Sequence, residues 1–106
     1  MHMMILYLTC ANGDEAINIA SALLEARLVA CVRRSQVSSS YWWKDKINND
    51  DEILLMMESL EEKFGAIEAV VKKLHSYDEP VLTAMTVSRT TAGTLAWLDQ
   101  VLRHAS

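Results

Sequence analysis

Two short segments of this chain are apolar at nearly every position, and they constrain the fold more than any other feature. The first runs from Met3 to Cys10 and the second spans residues 53–57 (Ile-Leu-Leu-Met-Met). Both are too short for stable helices, so they are predicted to be strands buried on two faces. A strand with one face in water would alternate apolar and polar residues instead. The sequence therefore predicts a sheet that is covered on both sides.

Apolar periodicity and capping signals predict the remaining elements. Asn12 with Glu15, and Ser59 with Glu62, resemble helix-capping boxes. Polar residues over 44–46 and 48–51 predict a turn between the second and third strands. The predicted strands span residues 3–10, 28–43, 52–58 and 81–87. The first predicted helix ends near Arg27 and the second near His75, and the last helix spans residues 91–104, ending at His104.

This order predicts an α+β, ferredoxin-like β-α-β-β-α-β fold with an additional C-terminal helix and a long hairpin of strands two and three. Right-handed crossovers place strands one and three in the centre of the sheet and both main helices on one face. The length of 106 residues suits one domain, predicted over residues 3–104. Met1-His2, ahead of a second methionine, is interpreted as a tag remnant.

Helices on one face of this sheet leave the other face open, although strands one and three are apolar there too. A large apolar side chain contributes roughly 1.5–3 kcal/mol only when it leaves water. We therefore expect a second copy of the chain to cover the open face. The alternative is that the C-terminal helix folds over it.

Composition argues against several functions. The net charge is −4 and the basic residues are scattered, which does not suit nucleic acid. No apolar run approaches the roughly 20 residues that span a bilayer. The two cysteines lack CxxC spacing and are expected to be reduced thiols in the cytoplasm. The chain shows no Ser-His-Asp set, paired carboxylates or phosphate-binding loop, so we expect it not to be an enzyme.

His75 is a candidate metal ligand at the predicted end of the second helix. Asp78 and Glu79 follow it closely, and an imidazole with nearby carboxylates or a thiolate can hold a soft or borderline metal. Cys10 is the candidate thiolate, because a helix N-terminus follows it and would favour the ionised form. The alternatives are a histidine that only caps helix carbonyls and a cysteine that only packs in the core.

The triplet Tyr41-Trp42-Trp43 is the most distinctive aromatic feature. Adjacent strand residues face opposite ways, so the two indoles cannot enter the same core. We expect one indole to pack internally and the other to meet a neighbouring subunit or line a cleft. The alternative is an aromatic cluster at the end of the hairpin.

Several segments, in matching order and spacing, resemble the CutA family of divalent-cation tolerance proteins over nearly the whole chain. They are Thr9-Cys10 with Asn12 (Thr-Cys-Pro-Asn in the family), residues 28–32 (Leu-Ala-Ala-Cys-Val), residues 40–43 with Lys46-Ile47 (Ser-Ile-Tyr-Trp-Trp-Glu-Gly-Lys-Ile), residues 75–78 (His-Pro-Tyr-Glu) and residues 95–98 (Tyr-Leu-Trp in part). The departures include Ala11 in place of Pro, Val81 in place of Glu after Pro80, and Glu58-Ser59 in place of Lys-Thr.

The resemblance implies a homotrimer with clefts between subunits and a role in tolerance of copper or other divalent cations, with no cofactor required for folding. It implies metal contacts at His75 and at Cys10. Asp78 and Glu79, which follow His75 closely in the chain, are the carboxylates predicted to complete this metal site. The cleft and interface residues it implies are Tyr41, Trp42, Trp43, Lys46, Glu58 and Tyr77. The alternative is a signalling or scaffold trimer similar to the PII proteins, with a small metabolite or a partner protein as its ligand.

Overall fold

A computed structural model describes residues 2–103. The strands are β1 (Met3–Cys10), β2 (Cys31–Trp43), β3 (Lys46–Leu60) and β4 (Leu82–Thr86), and the helices are α1 (Gly13–Glu25), α2 (Phe64–Leu74) and α3 (Ala92–Arg103), with a 3₁₀ turn over Glu61–Lys63. Two of the predicted positions lie outside the described residues. They are His104, the predicted end of the domain and of the last helix, and Met1 of the interpreted tag remnant. No helix within residues 2–103 is both long and apolar enough to cross a bilayer.

The four strands form one antiparallel sheet in the order β2-β3-β1-β4. The α+β class and the central position of strands one and three are therefore confirmed. The bounds predicted for the first strand are confirmed as well. Its apolar run has no alternation because β1 lies between two strands and has side chains packed against both of its faces.

The main core lies between the sheet and the two helices α1 and α2. Alternate side chains of β1 point to this face and are fully buried, as the two-residue period of a strand requires. Apolar residues of both helices pack on them at helical spacing. The core side chains are Met4, Leu6, Leu8 and Cys10 from β1, Ala16, Ile19 and Leu23 from α1, Val29 from the segment between α1 and β2, Leu55 and Met57 from β3, and Ile67 and Val71 from α2.

The other face of the sheet carries a second, smaller core under α3. Leu98 and Leu102 of α3 bury Met3 and Leu60 at one end of the central strands. The C-terminal helix thus covers part of the open face, as the alternative interpretation held. Ile5 packs against the edge of this core. Farther along the same face, three side chains remain partly exposed, Tyr7 with its register partner Met56, and Leu54.

The β2–β3 hairpin is longer and its turn tighter than the sequence predicted. Only Lys44 and Asp45 form the turn, both with positive φ, of 51° and 61°. Residues 46–51, most of which were predicted as turn material, are strand residues paired with β2. The prediction was wrong because this end of the hairpin is a two-stranded ribbon in solvent, where no buried face imposes a pattern.

Two further predictions were wrong at element ends. Ser59 does not cap a helix: it is a buried β3 residue whose hydroxyl donates to the Leu28 carbonyl oxygen at 2.6 Å. The second strand begins at Cys31 rather than Leu28, because Arg27 and Leu28 still form the C-terminal capping motif of α1. The Leu28 amide bonds to the Leu23 carbonyl and the Arg27 amide to the Leu24 carbonyl, with Arg27 in the left-handed region.

Candidate functional site

The end of β1, the first turn of α1 and the end of α2 meet at one point. There Cys10, Glu15 and His75 bring a thiol, a carboxylate and an imidazole within 4.8 Å of one another. We call these three residues the donor cluster. Each position follows from local structure, since Cys10 ends β1, Glu15 lies one turn into α1 and His75 is the C-cap of α2.

The His75 ring is buried and both of its nitrogens have partners. Nε2 lies 2.8 Å from the carbonyl oxygen of Thr9, which can only accept a hydrogen bond, so Nε2 carries the proton. Nδ1 accepts the backbone N–H of Tyr77 at 3.1 Å. These two bonds fix the ring as a neutral imidazole in one tautomer, with Nε2 directed towards Glu15 at 3.9 Å.

Glu15 is held as a carboxylate by backbone donors on both of its oxygens. Oε2 accepts from the Ala11 amide at 2.7 Å and Oε1 accepts from the Ser76 amide at 2.6 Å. Burial acts to raise the pKa of Glu15, but the hydrogen bonds from Ser76 and Ala11 outweigh it and hold this pKa below its ordinary value. The capping interaction is present as well, since the Asn12 side chain accepts from the Glu15 amide.

Cys10 is a protonated thiol rather than a thiolate. Burial, followed by the negative charges of Glu15 and Glu52, raises the pKa of Cys10 to about 12. The expected effect of the neighbouring helix N-terminus is therefore outweighed by desolvation. Burial also raises the pKa of Cys31, and both cysteines are free thiols.

The donor cluster fits a borderline divalent cation by its chemistry. Sulfur, imidazole nitrogen and carboxylate oxygen together suit copper or zinc better than magnesium or calcium. In the described geometry, however, each donor already has another partner: a proton on Cys10, Thr9 on His75, and two amides on Glu15. Any ion must displace some of these, so the cluster fits a weakly held metal.

A cleft of ≈ 660 Å³ lies beside the donor cluster. We call it the aromatic cleft. It is lined by Thr9, Ser39, Tyr41, Trp42, Trp43, Glu52, Ser76, Tyr77, Asp78, Glu79 and Val81. Asp78 and Glu79 thus face this cleft, and the predicted metal set of His75, Cys10, Asp78 and Glu79 is not one group. The carboxylate that joins His75 and Cys10 is Glu15.

Glu52 and Tyr77 form the polar wall of the aromatic cleft. The Tyr77 hydroxyl donates to Oε2 of Glu52 at 2.8 Å, and the Glu52 side chain is buried. Burial, and then the hydrogen bond to Glu52, raises the pKa of Tyr77. Tyr77 also lies against His75, with ring centroids 4.7 Å apart, so it connects the cleft to the donor cluster.

Four of the six predicted cleft residues line this cleft: Tyr41, Trp42, Trp43 and Tyr77. Lys46, the partner of Trp43 next to the hairpin turn, does not line it. Glu58 is also elsewhere, at the far end of β3, where its carboxylate accepts from Arg33 at 2.8 Å. The expectation that one indole packs internally was wrong, since Trp42 is 71% and Trp43 56% exposed. Both lie on the ribbon beyond the core.

Sequence reasoning missed Glu15 and Glu52 as site residues. Glu15 was assigned to a capping box, a local role that hid its contact with the Ser76 amide 61 residues later. Glu52 was identified only as the start of the third strand. One sequence signal could have identified Glu52, because it directly precedes the apolar run of the third strand. A carboxylate buried in such a strand needs a hydrogen-bond donor as its partner.

Comparisons with known proteins match nearly the whole chain, including the donor cluster and the aromatic cleft, to one protein family. A family model described as CutA1 divalent ion tolerance protein matches residues 4–101. A protein named divalent-cation tolerance protein CutA from Archaeoglobus fulgidus is 35% identical over 102 residues, which cover 96% of this chain and 99% of that protein. The protein of that name from Thermotoga maritima is 33% identical, covering 92% and 97%.

Solved structures agree with these sequence matches. The crystal structure of CutA1 from Oryza sativa superposes with a TM-score of 0.94 at 28% identity, covering 99% of this chain and 97% of that one. The structure of the protein from A. fulgidus, described as periplasmic, gives a TM-score of 0.92 at 35% identity, with coverage of 96% and 99%. The matched region contains the whole donor cluster and the whole aromatic cleft.

Proposed function

The chain belongs to the CutA1 family of divalent ion tolerance proteins, and on that premise we propose that it acts in the tolerance of divalent metal ions as a non-enzymatic homotrimer. Its ion is copper or another divalent cation, bound weakly. The relatives are named for tolerance rather than for a catalysed reaction. The observation that carries the proposal is the convergence of Cys10, Glu15 and His75 within 4.8 Å.

Weak binding follows from what the donors must give up. Cys10 must lose a proton that its surroundings hold tightly, and His75 must release the Thr9 carbonyl. These costs reduce the affinity below that of a site whose donors are free. A weak site suits a protein that responds when metal is in excess and leaves essential metal bound elsewhere.

The open face of the sheet supports the homotrimer. Tyr7, Leu54 and Met56 remain partly exposed beyond the area that α3 covers, next to Ile5 at the edge of the α3 core. Contiguous apolar surface of this kind is costly in water and typical of an interface. A second copy of the chain presents a matching apolar face, and the number of three subunits comes from the family resemblance. This trimer retains the ferredoxin-like subunit that the strand order supports.

The exposed end of the hairpin supports clefts between subunits. Trp42 and Trp43 extend beyond the core of their own chain, and large aromatic residues in such positions are typical contact residues. We therefore place the aromatic cleft at the boundary between two subunits, with the donor cluster just behind it. The proposed location is the cytoplasm, which suits the free thiols of Cys10 and Cys31.

Calorimetric titration with copper tests the metal site. Wild-type protein should bind, His75→Ala should lose most of the binding heat, and Asp78→Ala should bind like wild type because Asp78 lies outside the donor cluster. Equal isotherms for wild type and His75→Ala would remove the donor cluster from the proposal. Loss of binding in Asp78→Ala alone would move the site into the aromatic cleft.

A signalling or scaffold trimer is the second candidate function, and the aromatic cleft favours it. The cleft offers ≈ 660 Å³ beside the donor cluster, which is room for a small molecule or a partner's side chains. Affinity capture on the purified trimer, with and without a chelator, separates the two functions. Partner binding that is indifferent to the chelator favours scaffolding, and partner binding that requires metal favours the tolerance function.

A further inference from the structure

We propose that metal occupancy of the donor cluster changes the shape of the aromatic cleft, because His75 cannot bind a metal and hold Tyr77 at the same time. The inference rests on the proposed metal site and adds a regulatory link to it. Three hydrogen bonds support it, which join His75 to Thr9, Tyr77 to His75 and Tyr77 to Glu52.

The first step concerns the nitrogen that faces the donor cluster. Nε2 of His75 is the atom directed at Glu15, at 3.9 Å, and at the Thr9 carbonyl, at 2.8 Å. A histidine nitrogen binds metal through its lone pair, so Nε2 must first give up its proton and its bond to Thr9. A neutral ring then carries its single proton on Nδ1. The ring has one proton before and after, and only the tautomer changes.

The second step concerns the partner of Nδ1. In the described geometry Nδ1 accepts the Tyr77 amide at 3.1 Å. Once Nδ1 is protonated, two N–H donors face each other and the hydrogen bond is lost. An amide N–H in a partly buried position needs another acceptor, so Tyr77 must move away from His75.

The third step carries the change into the aromatic cleft. Tyr77 lines the cleft, lies tilted against the His75 ring with the centroids 4.7 Å apart, and donates its hydroxyl hydrogen to Glu52. Thr9, the residue that loses the Nε2 bond, lines the same cleft. Glu15 can use Oε2 for the metal and keep the Ser76 amide on Oε1, so the displacement starts at Tyr77 rather than at the end of α2.

Linkage makes the effect reciprocal. A molecule in the aromatic cleft that holds Tyr77 against Glu52 and His75 must lower the metal affinity by the same factor by which the metal weakens that molecule's binding. The donor cluster and the aromatic cleft are then two sites joined by one residue with two positions.

Nitrogen NMR of histidine-labelled protein, titrated with zinc, tests this directly. Zinc is chosen because it undergoes no redox reaction with Cys10. Without zinc, His75 should show a protonated Nε2, and with saturating zinc a protonated Nδ1. Exchange of the Tyr77 amide hydrogen should become faster with zinc, by roughly five-fold, which is the effect of losing one average hydrogen bond.

Two variants strengthen the test. Tyr77→Phe lacks the hydroxyl that binds Glu52, so moving residue 77 away from His75 costs less free energy than in wild type. Zinc affinity should therefore rise about two- to five-fold, which corresponds to part or all of one hydrogen bond. Tyr41→Phe, in the same cleft but without a contact to His75, should bind zinc like wild type. Equal zinc affinity in Tyr77→Phe and Tyr41→Phe would count against the coupling.

The outcomes separate the two proposals. Zinc binding by calorimetry, with an unchanged His75 tautomer or an unchanged Tyr77 exchange rate, overturns the coupling and leaves the metal site standing. No zinc or copper binding in wild-type protein overturns both. A tautomer change together with faster Tyr77 exchange supports the coupling, and these measurements on wild-type protein do not depend on whether any variant folds.

Discussion

Nε2 of His75 lies 2.8 Å from the carbonyl oxygen of Thr9, a residue 66 positions earlier in the chain. This bond joins the end of α2 to the end of β1 inside a buried site. It gives the imidazole a structural role in addition to the proposed metal contact. A histidine variant therefore tests folding as well as binding.

His75→Ala should lower the free energy of unfolding by about 2–4 kcal/mol, because it leaves a small cavity and removes partners from Thr9 and from the Tyr77 amide. Urea denaturation at fixed protein concentration measures it, since subunit association shifts apparent stability. Lys73→Ala, on the exposed side of the same helix end, should change stability by under about 0.5 kcal/mol. If both variants lowered the free energy of unfolding by the same small amount, His75 could not be a buried residue held by two hydrogen bonds.

Asp45→Gly should stabilise the protein. Lys44 and Asp45 both have positive φ in a two-residue turn, a conformation that favours Gly at the second position. Removing the strain at Asp45 should raise the free energy of unfolding by about 0.5–1 kcal/mol. Lys46→Gly, in the extended strand next to the turn, should lower it by a similar amount, and thermal unfolding distinguishes the two. Destabilisation by Asp45→Gly would show that the hairpin has a different turn.

Thiol labelling should distinguish the two cysteines. Cys10 is fully buried and its pKa is about 12, so at pH 8 almost none of it is thiolate and reagents cannot reach it. Cys31 is partly exposed, and a maleimide followed by mass spectrometry should modify it first. Cys10 should react only on unfolding, because ionisation alone does not bring it to the surface. Fast labelling of Cys10 in the native protein at pH 8 would refute its burial.

Met56→Asp should dissociate the proposed homotrimer. Met56 lies on the open face, opposite Tyr7 of β1 and Arg33 of β2. Arg33 already binds Glu58, so a carboxylate buried there in the interface would compete for that one cation and be costly. Light scattering should give about three times the chain mass of 11.9 kDa for wild type and the single-chain mass for the variant. Ile17→Asp, on the exposed side of α1, is the matched control and should remain trimeric. A monomeric wild type would contradict self-association.

The part of the fold that could be predicted from the sequence is the part with a buried face. β1 was predicted with correct bounds because burial on both sides leaves an apolar run that a short helix cannot explain. The outer ribbon of the hairpin could not be predicted, since its residues 48–51 touch water on both sides. Ser59 fitted a local capping pattern, but its hydroxyl found a nonlocal partner in the Leu28 carbonyl.

The candidate site was predictable only in part. Cys10 and His75 were candidates from chain position and family resemblance, yet their common carboxylate, Glu15, was assigned a local capping role. Asp78 and Glu79 are closer to His75 in sequence, but the chain turns at Ser76 and directs them into the aromatic cleft. Proximity in sequence therefore selected carboxylates that lie outside the donor cluster, and only the packing of α1 against the end of β1 brings Glu15 to His75 and Cys10.

Anomalous diffraction from crystals soaked separately with copper and zinc tests the donor cluster most directly. We expect a peak at about 2.0–2.3 Å from both Sγ of Cys10 and Nε2 of His75, the usual bond lengths for such ligands, with Glu15 as the third ligand. A peak bound by Asp78 and Glu79 in the aromatic cleft, or no peak at the donor cluster, would contradict it.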